Sequence, residues 1–345
     1  MKKFILLLLT AILSAPFVPA KELSRKEVLT VTPAKGDTIA LSCIYGHILV
    51  EHWDKPTAEI TLEATVEARK ESHAQEILDA ISFTDISRKR VTGAKVEFNT
   101  KKQIVLGKNN ERWEITLRVK APKNHPMRLT NNFGNITGDD FTTPLTINCS
   151  YGKINIGNVR NASLNLSFCS DCTVGSAKNI ALLNQYSTIK IGSADTLRAS
   201  DQFGTIRIGR LDAAGLGLSY SQFVSSDIIR SLRANSSFSK IKIARLAPDF
   251  RLVEVDGHYS NLNIGIDKKA AFEVITENMK YGKCKIKDLR TKVVSEAEQM
   301  GYDSSKREKN REQFIINGGG KGSIRFNGGN FSDLTIHAIT APTEP

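Results

Sequence analysis

The sequence predicts an all-β fold: a parallel β-solenoid with 17–18 residue coils, plus a small α+β N-terminal cap. Three observations predict it. First, an aromatic residue, a Gly or Ser, any residue and an apolar-x-apolar triplet recur at Tyr151, Tyr186, Phe203, Phe238 and Tyr259, with a looser copy at Tyr281. Second, from Tyr151 to Phe238 the pattern recurs at a fixed short step of about 17–18 residues, the sign of repeats that bury their apolar side only against their neighbours. Third, another alternating pair stands six and four places before the aromatic: Met127 and Leu129, Leu145 and Ile147, Ile180 and Leu182, Leu197 and Ala199, Leu232 and Ala234, Val253 and Val255. A Greek-key sandwich needs no constant repeat length, and the common helical repeats run to roughly 33–47 residues with helical periodicity.

Residues 1–20, MKKFILLLLTAILSAPFVPA, read as a signal peptide: a Lys2-Lys3 start, a short apolar run and small residues at the cleavage site. No later run is long and apolar enough to span a bilayer, and no cysteine near the junction offers a lipid acceptor. The expectation is an exported chain without a transmembrane anchor. Residues 21–125 hold a first coil, DTIALSCIYGHILVEHW, and then an excursion that breaks the period. Its EITLEATVEA and ERWEITLRVKAP are strand-like and its KESHAQEILDAISF helix-like. A solenoid's open end has to be covered against edge pairing, so this excursion reads as a cap to which Trp53 and Trp113 pin the first coil.

Residues 126–290 carry the repeats. Apolar residues fall three and five places after each aromatic, as in Ile189 and Ile191 or Ile206 and Ile208, the alternation of a half-buried strand. Each coil therefore has two short strands. Gly or Ser after the aromatic, and Gly six places after it, mark the corners, where stacked aromatics are expected to fill the turn. Residues 291–323 are polar and read as a loop. Its Gly318–Ser323 lacks the order of a phosphate-binding loop and has no following helix. Residues 324–345 return to the pattern at Ile324, Phe326, Phe331, Leu334 and Ile336 and are expected to close the array.

Removing Lys2 and Lys3 with the leader lowers the net charge from +12 to +10, which favours anionic surfaces without choosing one. Four places after the aromatic, on the outward side of the second strand, stand Lys190, Arg207, Lys242 and Lys285; Lys153, Lys240 and Lys283 stand two places after it. Like charges one strand apart repel, and a polyanion would relieve the repulsion. The plain alternative is a solvated face whose lysines discourage aggregation. Arg128, Arg198 and Arg233 occupy the outer side of the first strand.

Asp195 and Asp212 stack in one corner column at a spacing that suggests paired carboxylates, but neither a cleft-forming insertion nor a His or Arg cluster accompanies them. Asp is also a common corner residue. Cys169 and Cys172 have the spacing of a redox pair. Cys169 is read as occupying the aromatic column and Cys172 the first buried column; pairing of Cys169 with Cys172 or with Cys149 stays open. Zinc would need further ligands that the sequence does not supply, and no cofactor is expected.

With the register laid out, FGNITGDDF, YGKINIGNV, YSTIKIGSA, FGTIRIGRL and YSNLNIGID resemble the coils of the bacterial putative adhesin family, also called toast-rack or adhesin head domains, and the early IYGHILVEHW is similar. The resemblance covers most of the chain after the leader. It implies an exported β-solenoid of the cell envelope and carries no catalytic residues over. The favoured function is a non-enzymatic binding or scaffold protein, periplasmic or at the cell surface. Its expected partners are an anionic glycan, a lipid headgroup or another envelope protein, not nucleic acid. The alternatives are a carbohydrate-active enzyme on a β-helix and a purely structural envelope accessory.

Overall fold

Alternation puts the apolar residues on one side of an extended backbone, and stacking coils in register turns each apolar position into a buried column. The computed structural model describes residues 21–98, 111–294 and 311–339 of the chain, so the leader at 1–20 lies outside them. All the described strands belong to one sheet, 25 of them in chain order. Met127, Leu145, Ala162, Ile180, Leu197, Ala214 and Leu232 follow one another as parallel partners, each one coil on from the last. On the second strand Ile189, Ile206, Phe223 and Ile241 form one inward column, each 2% exposed or less. The parallel solenoid predicted from the repeat is the observed fold.

The corner departs from expectation. The aromatics do not fill it; they line its outside as a ladder of stacked rings. In spatial order these are Tyr45, Phe133, Tyr151, Phe168, Tyr186, Phe203, Tyr220, Phe238, Tyr259, Phe331 and Tyr281, with ring centroids 4.8–5.3 Å apart. Every one is exposed, and every one has a left-handed φ between 48° and 62°. That conformation costs a bulky L-residue about 1–2 kcal/mol, while each stacked pair contributes about 0.5–1.5 kcal/mol. Each pair is shared by two rings, so stacking offsets much of the strain on every ring in the ladder, whereas a lone coil would bear it in full.

The left-handed turn points the next residue inward, against the coil below, and so limits it to something small. A Cβ added to Gly134 or Gly152 would lie 1.7 or 1.9 Å from a carbonyl oxygen of the preceding coil. Serine fits where its hydroxyl joins a chain of bonds: Ser239 Oγ accepts from the Ser221 amide at 2.9 Å and donates to Ser237 O at 2.7 Å. Cys169 belongs to this small-residue column. The ring column at that coil holds Phe168, which corrects the sequence assignment of Cys169 to the aromatic position.

At the N-terminal end, Thr38–Ile44 pairs in parallel with Met127–Asn132 on one side and Val91–Phe98 on the other. His47–Trp53 pairs likewise with Ile136–Gly138 and Arg112–Pro122. The excursion thus builds one further coil-like layer. Ala58–Ala68 bridges Arg112–Pro122 and Lys21–Val31 by antiparallel pairing, and the helix Glu71–Ala80 turns Ala74, Ile77 and Leu78, one helical face, into the core. Trp113 packs edge-on against Phe98, which in turn meets Tyr45, so it pins cap to coil. Trp53 does not; its indole N–H donates to Thr57 O in its own turn.

At the other end chain order and spatial order part. Gly322–Asn327 lies between Leu252–His258 and Phe272–Glu277, and Asp333–Ile339 lies between Asn261–Asp267 and Cys284–Lys287. The coil containing Ile324 and Ile336 is therefore inserted, and it does not close the array. Arg311–Ile316, inside the stretch read as a loop, pairs antiparallel with Phe272–Glu277 and with Thr291–Val293. Antiparallel strands at this edge stop further parallel stacking.

Candidate binding faces

The second-strand face is built by the inward pull of Ile189, Ile191, Ile206 and Ile208, which forces the intervening residues out. Lys190 and Arg207 are direct partners on adjacent coils. Val224 separates Arg207 from Lys242, and Asn263 and Thr335 separate Lys242 from Lys285. The basic column predicted from spacing exists, but it is interrupted. All four of its cations are exposed, and among the described residues no carboxylate lies within ion-pair distance of Lys190, Arg207, Lys242 or Lys285.

The flanking column is less uniform. Lys240 sits beside Gln222 and Asn261. Lys153 pairs with Asp171 at 3.5 Å, and the Lys283 amide donates to Asp333 Oδ1 at 2.8 Å. Those two positions carry acids next to their lysines, so the net cationic part of the face centres on Lys190, Arg207, Lys240 and Lys242. A regular outward position does not reveal such neighbours, because they come from coils up to 50 residues away in sequence.

The opposite face, on the outer side of the first strand, carries Arg198 and Arg233. Arg233 is held by Glu254 at 3.0 Å. The corner column of Asp195 and Asp212 lies between the paired Ala194–Leu211 and Thr196–Ala213, and Arg230 Nε donates to Asp212 Oδ1 at 2.7 Å. Asp212 is thus engaged by Arg230 as a corner ion pair.

One buried polar column escaped the sequence reading. Asn131, Asn184 and Asp201 lie two places before the aromatic and point inward, at 0%, 3% and 1% exposure; Asn184 and Asp201 are neighbours, while Asn131 stands three coils off, beyond Cys149 and Leu166. Asn184 Nδ2 donates to Asp201 Oδ1 at 2.9 Å, while Asp201 Oδ2 has no partner. Burial pushes the Asp201 carboxyl up to about 6, against the opposing hydrogen bond from Asn184. The signal was available: polar residues at one fixed offset from three aromatics. The three cysteines whose pairing the sequence left open, Cys149, Cys169 and Cys172, do come together, as free buried thiols. Hydrogen bonds from the other two thiols pull Cys169 down, and the same contacts together with burial push Cys149 and Cys172 up.

The sequence matches no protein-family model and no curated protein. Solved structures of similar architecture include a putative adhesin from Parabacteroides merdae, at 13% identity over 71% of this chain and 97% of that one, with a TM-score of 0.43. A putative adhesin from Parabacteroides distasonis shares 14% identity over 70% of this chain and 93% of that one, at 0.38. A protein from the same species named as a putative lipid binding protein shares 11% over 69% and 96%, at 0.34. Likeness at this level carries no functional argument, and the fold stands on the chain's own register. The chain is thus similar to solved proteins that bear the name of the family its repeats resemble.

Proposed function

We propose that this chain is an exported, non-enzymatic binding protein of the cell envelope, periplasmic or at the surface, that holds anionic groups against its second-strand face. The observation that carries the reading is the direct pairing of Lys190 with Arg207 on adjacent coils, with Lys240 and Lys242 side by side on one strand two coils on, none of the four having an ion-pair partner among the described residues. Like charges opposed across a sheet destabilise it, and stiff strands display them at little further entropic cost to a ligand. The shared chemistry of the ligand is a row of anions, as in an acidic glycan or in lipid headgroups. The non-enzymatic part rests on the engagement of Asp212 by Arg230.

The test uses the chain with Lys190→Gln, Arg207→Gln and Lys242→Gln combined, titrated with dextran sulfate and, separately, with vesicles containing phosphatidylglycerol. The side chains are exposed, so the fold should be unchanged. Affinity for one of the two probes should drop at least tenfold, and the parent's binding should weaken with salt, since screening acts over roughly 8–10 Å. The arm that drops identifies the source of the anions. Equal binding by parent and variant at low salt in both arms overturns the proposal.

A further inference from the structure

Most glycines in this fold are explained by crowding or by backbone angle. An added Cβ at Gly192 or Gly209 would lie 2.4 or 2.3 Å from a carbonyl oxygen of the neighbouring coil, and Gly36 and Gly318 have φ of +86° and +90°. Gly215 and Gly217 alone among the described glycines have neither reason: nothing lies within 4 Å of an added Cβ, and φ is not left-handed. Both face outward in the middle of Thr205–Ser219, between the buried Ala214, Leu216 and Leu218. Glycine weakens a strand interior, and where no bulge or bend calls for it, it commonly marks a place where a ligand comes close to the backbone.

These two glycines make a feature. Gly215 pairs with Arg198 on one side and Arg233 on the other, and Gly217 with Ser200 and Asn235. The two arginines therefore stand two coil steps apart, roughly 9–10 Å, over a strip of bare peptide. The result is a trough of about 890 Å³ on the first-strand face. Leu183, 59% exposed in the same outward column as Ser200 and Gly217, offers an apolar platform.

We infer that this trough is a binding site for a short oligosaccharide bearing a carboxylate-carrying sugar, separate from the cationic face on the opposite side of the solenoid. The backbone at the floor is paired on both sides within the sheet, so it has no free N–H or C=O with which to add a peptide strand. A ligand must lie flat on the peptide and take its hydrogen bonds from the rim. The rim supplies a hydroxyl at Ser200, an amide at Asn235 and the guanidinium of Arg198, while the carboxylates at one end, Glu254 and Asp256, are taken up by Arg233 and by the Asn327 amide. Sugar rings have that chemistry: an apolar face for the floor and Leu183, and hydroxyls for the rim. Arg233 is engaged by Glu254, whereas Arg198 has no ion-pair partner among the described residues; a guanidinium left free beside the floor matches a carboxylate in two parallel hydrogen bonds.

The test is calorimetric titration of the full chain with an alginate tetrasaccharide and with a neutral glucose tetrasaccharide. The uronate oligomer is expected to bind at least tenfold more tightly than the neutral one. Gly217→Val fills the floor and should abolish binding while leaving the melting temperature equal or higher, because the space is open and valine favours strands. Arg198→Gln, a surface change, should weaken uronate binding at least tenfold and remove the preference over the neutral sugar. The triple variant of Lys190, Arg207 and Lys242 should bind the tetrasaccharide as the parent does, which separates this site from the cationic face. No binding by the parent, equal binding of both sugars, full binding by Gly217→Val, or loss of binding in the triple variant would each overturn the inference.

Discussion

Replacing Asp201 with Asn should stabilise the solenoid at neutral pH and leave it unchanged in acid. The carboxyl is 1% exposed, and only one of its oxygens is hydrogen-bonded. Burial raises it to about 6, against about 3.9 in an unfolded chain. A group raised on folding contributes fully below its unfolded value, and that contribution is lost as pH climbs through the folded one. Stability should therefore fall between about pH 4 and pH 6 and stay lower above. The difference of about two units corresponds to about 3 kcal/mol, an upper figure for the gain from Asp201→Asn at pH 7.5.

The amide should fit, because its column already shows how. Asn184 Nδ2 donates to Ser187 O at 3.0 Å, and Asn131 Nδ2 to Asn135 O at 3.0 Å, each a carbonyl of its own turn. An amide at 201 has Gly204 O in the equivalent place and keeps an oxygen to accept from Asn184. The assay is urea unfolding of both proteins at pH 4.0 and 7.5, followed by circular dichroism. Near-equal midpoints at pH 4.0 with a higher midpoint for the variant at 7.5 are expected. A variant less stable at pH 7.5, or one offset equally at both pH values, would refute the reasoning.

Two further substitutions test the corner. Gly152→Ala places a methyl 1.9 Å from Gly134 O, so the two coils have to separate, at a cost of about 1–3 kcal/mol in the same urea assay; an unchanged midpoint would mean that the coils are not in this register. Phe203→Ala and Phe203→Gly both remove stacking on Tyr186 and Tyr220, at 4.9 and 5.0 Å, worth about 1–3 kcal/mol together. Because φ at this position is +56°, the glycine variant should be the more stable of the two by about 1 kcal/mol; the reverse order would contradict the strained-ladder account.

Much of this fold is local and periodic, and for that reason it was legible. The inward set of Ile189, Ile206 and Ile241 and the outward set of Lys190, Arg207 and Lys242 follow from the two-residue alternation of a strand and a near-constant coil length, which the sequence by itself determined. One irregular repeat was lost because Phe168-Cys169 puts a cysteine where Gly or Ser usually follows the aromatic, although a thiol is small enough for the same corner. Tertiary structure decided what depends on which coil lies next to which. Asp333–Ile339 is inserted between Asn261–Asp267 and Cys284–Lys287 because strand edges pair with whichever edge is free, a choice made across 72 residues in one direction and 50 in the other. The same holds for the interrupted cation column, for the rings standing outside their corner and for the trough over Gly215 and Gly217. Each depends on the side chains of neighbouring coils, and period alone does not say what those neighbours are.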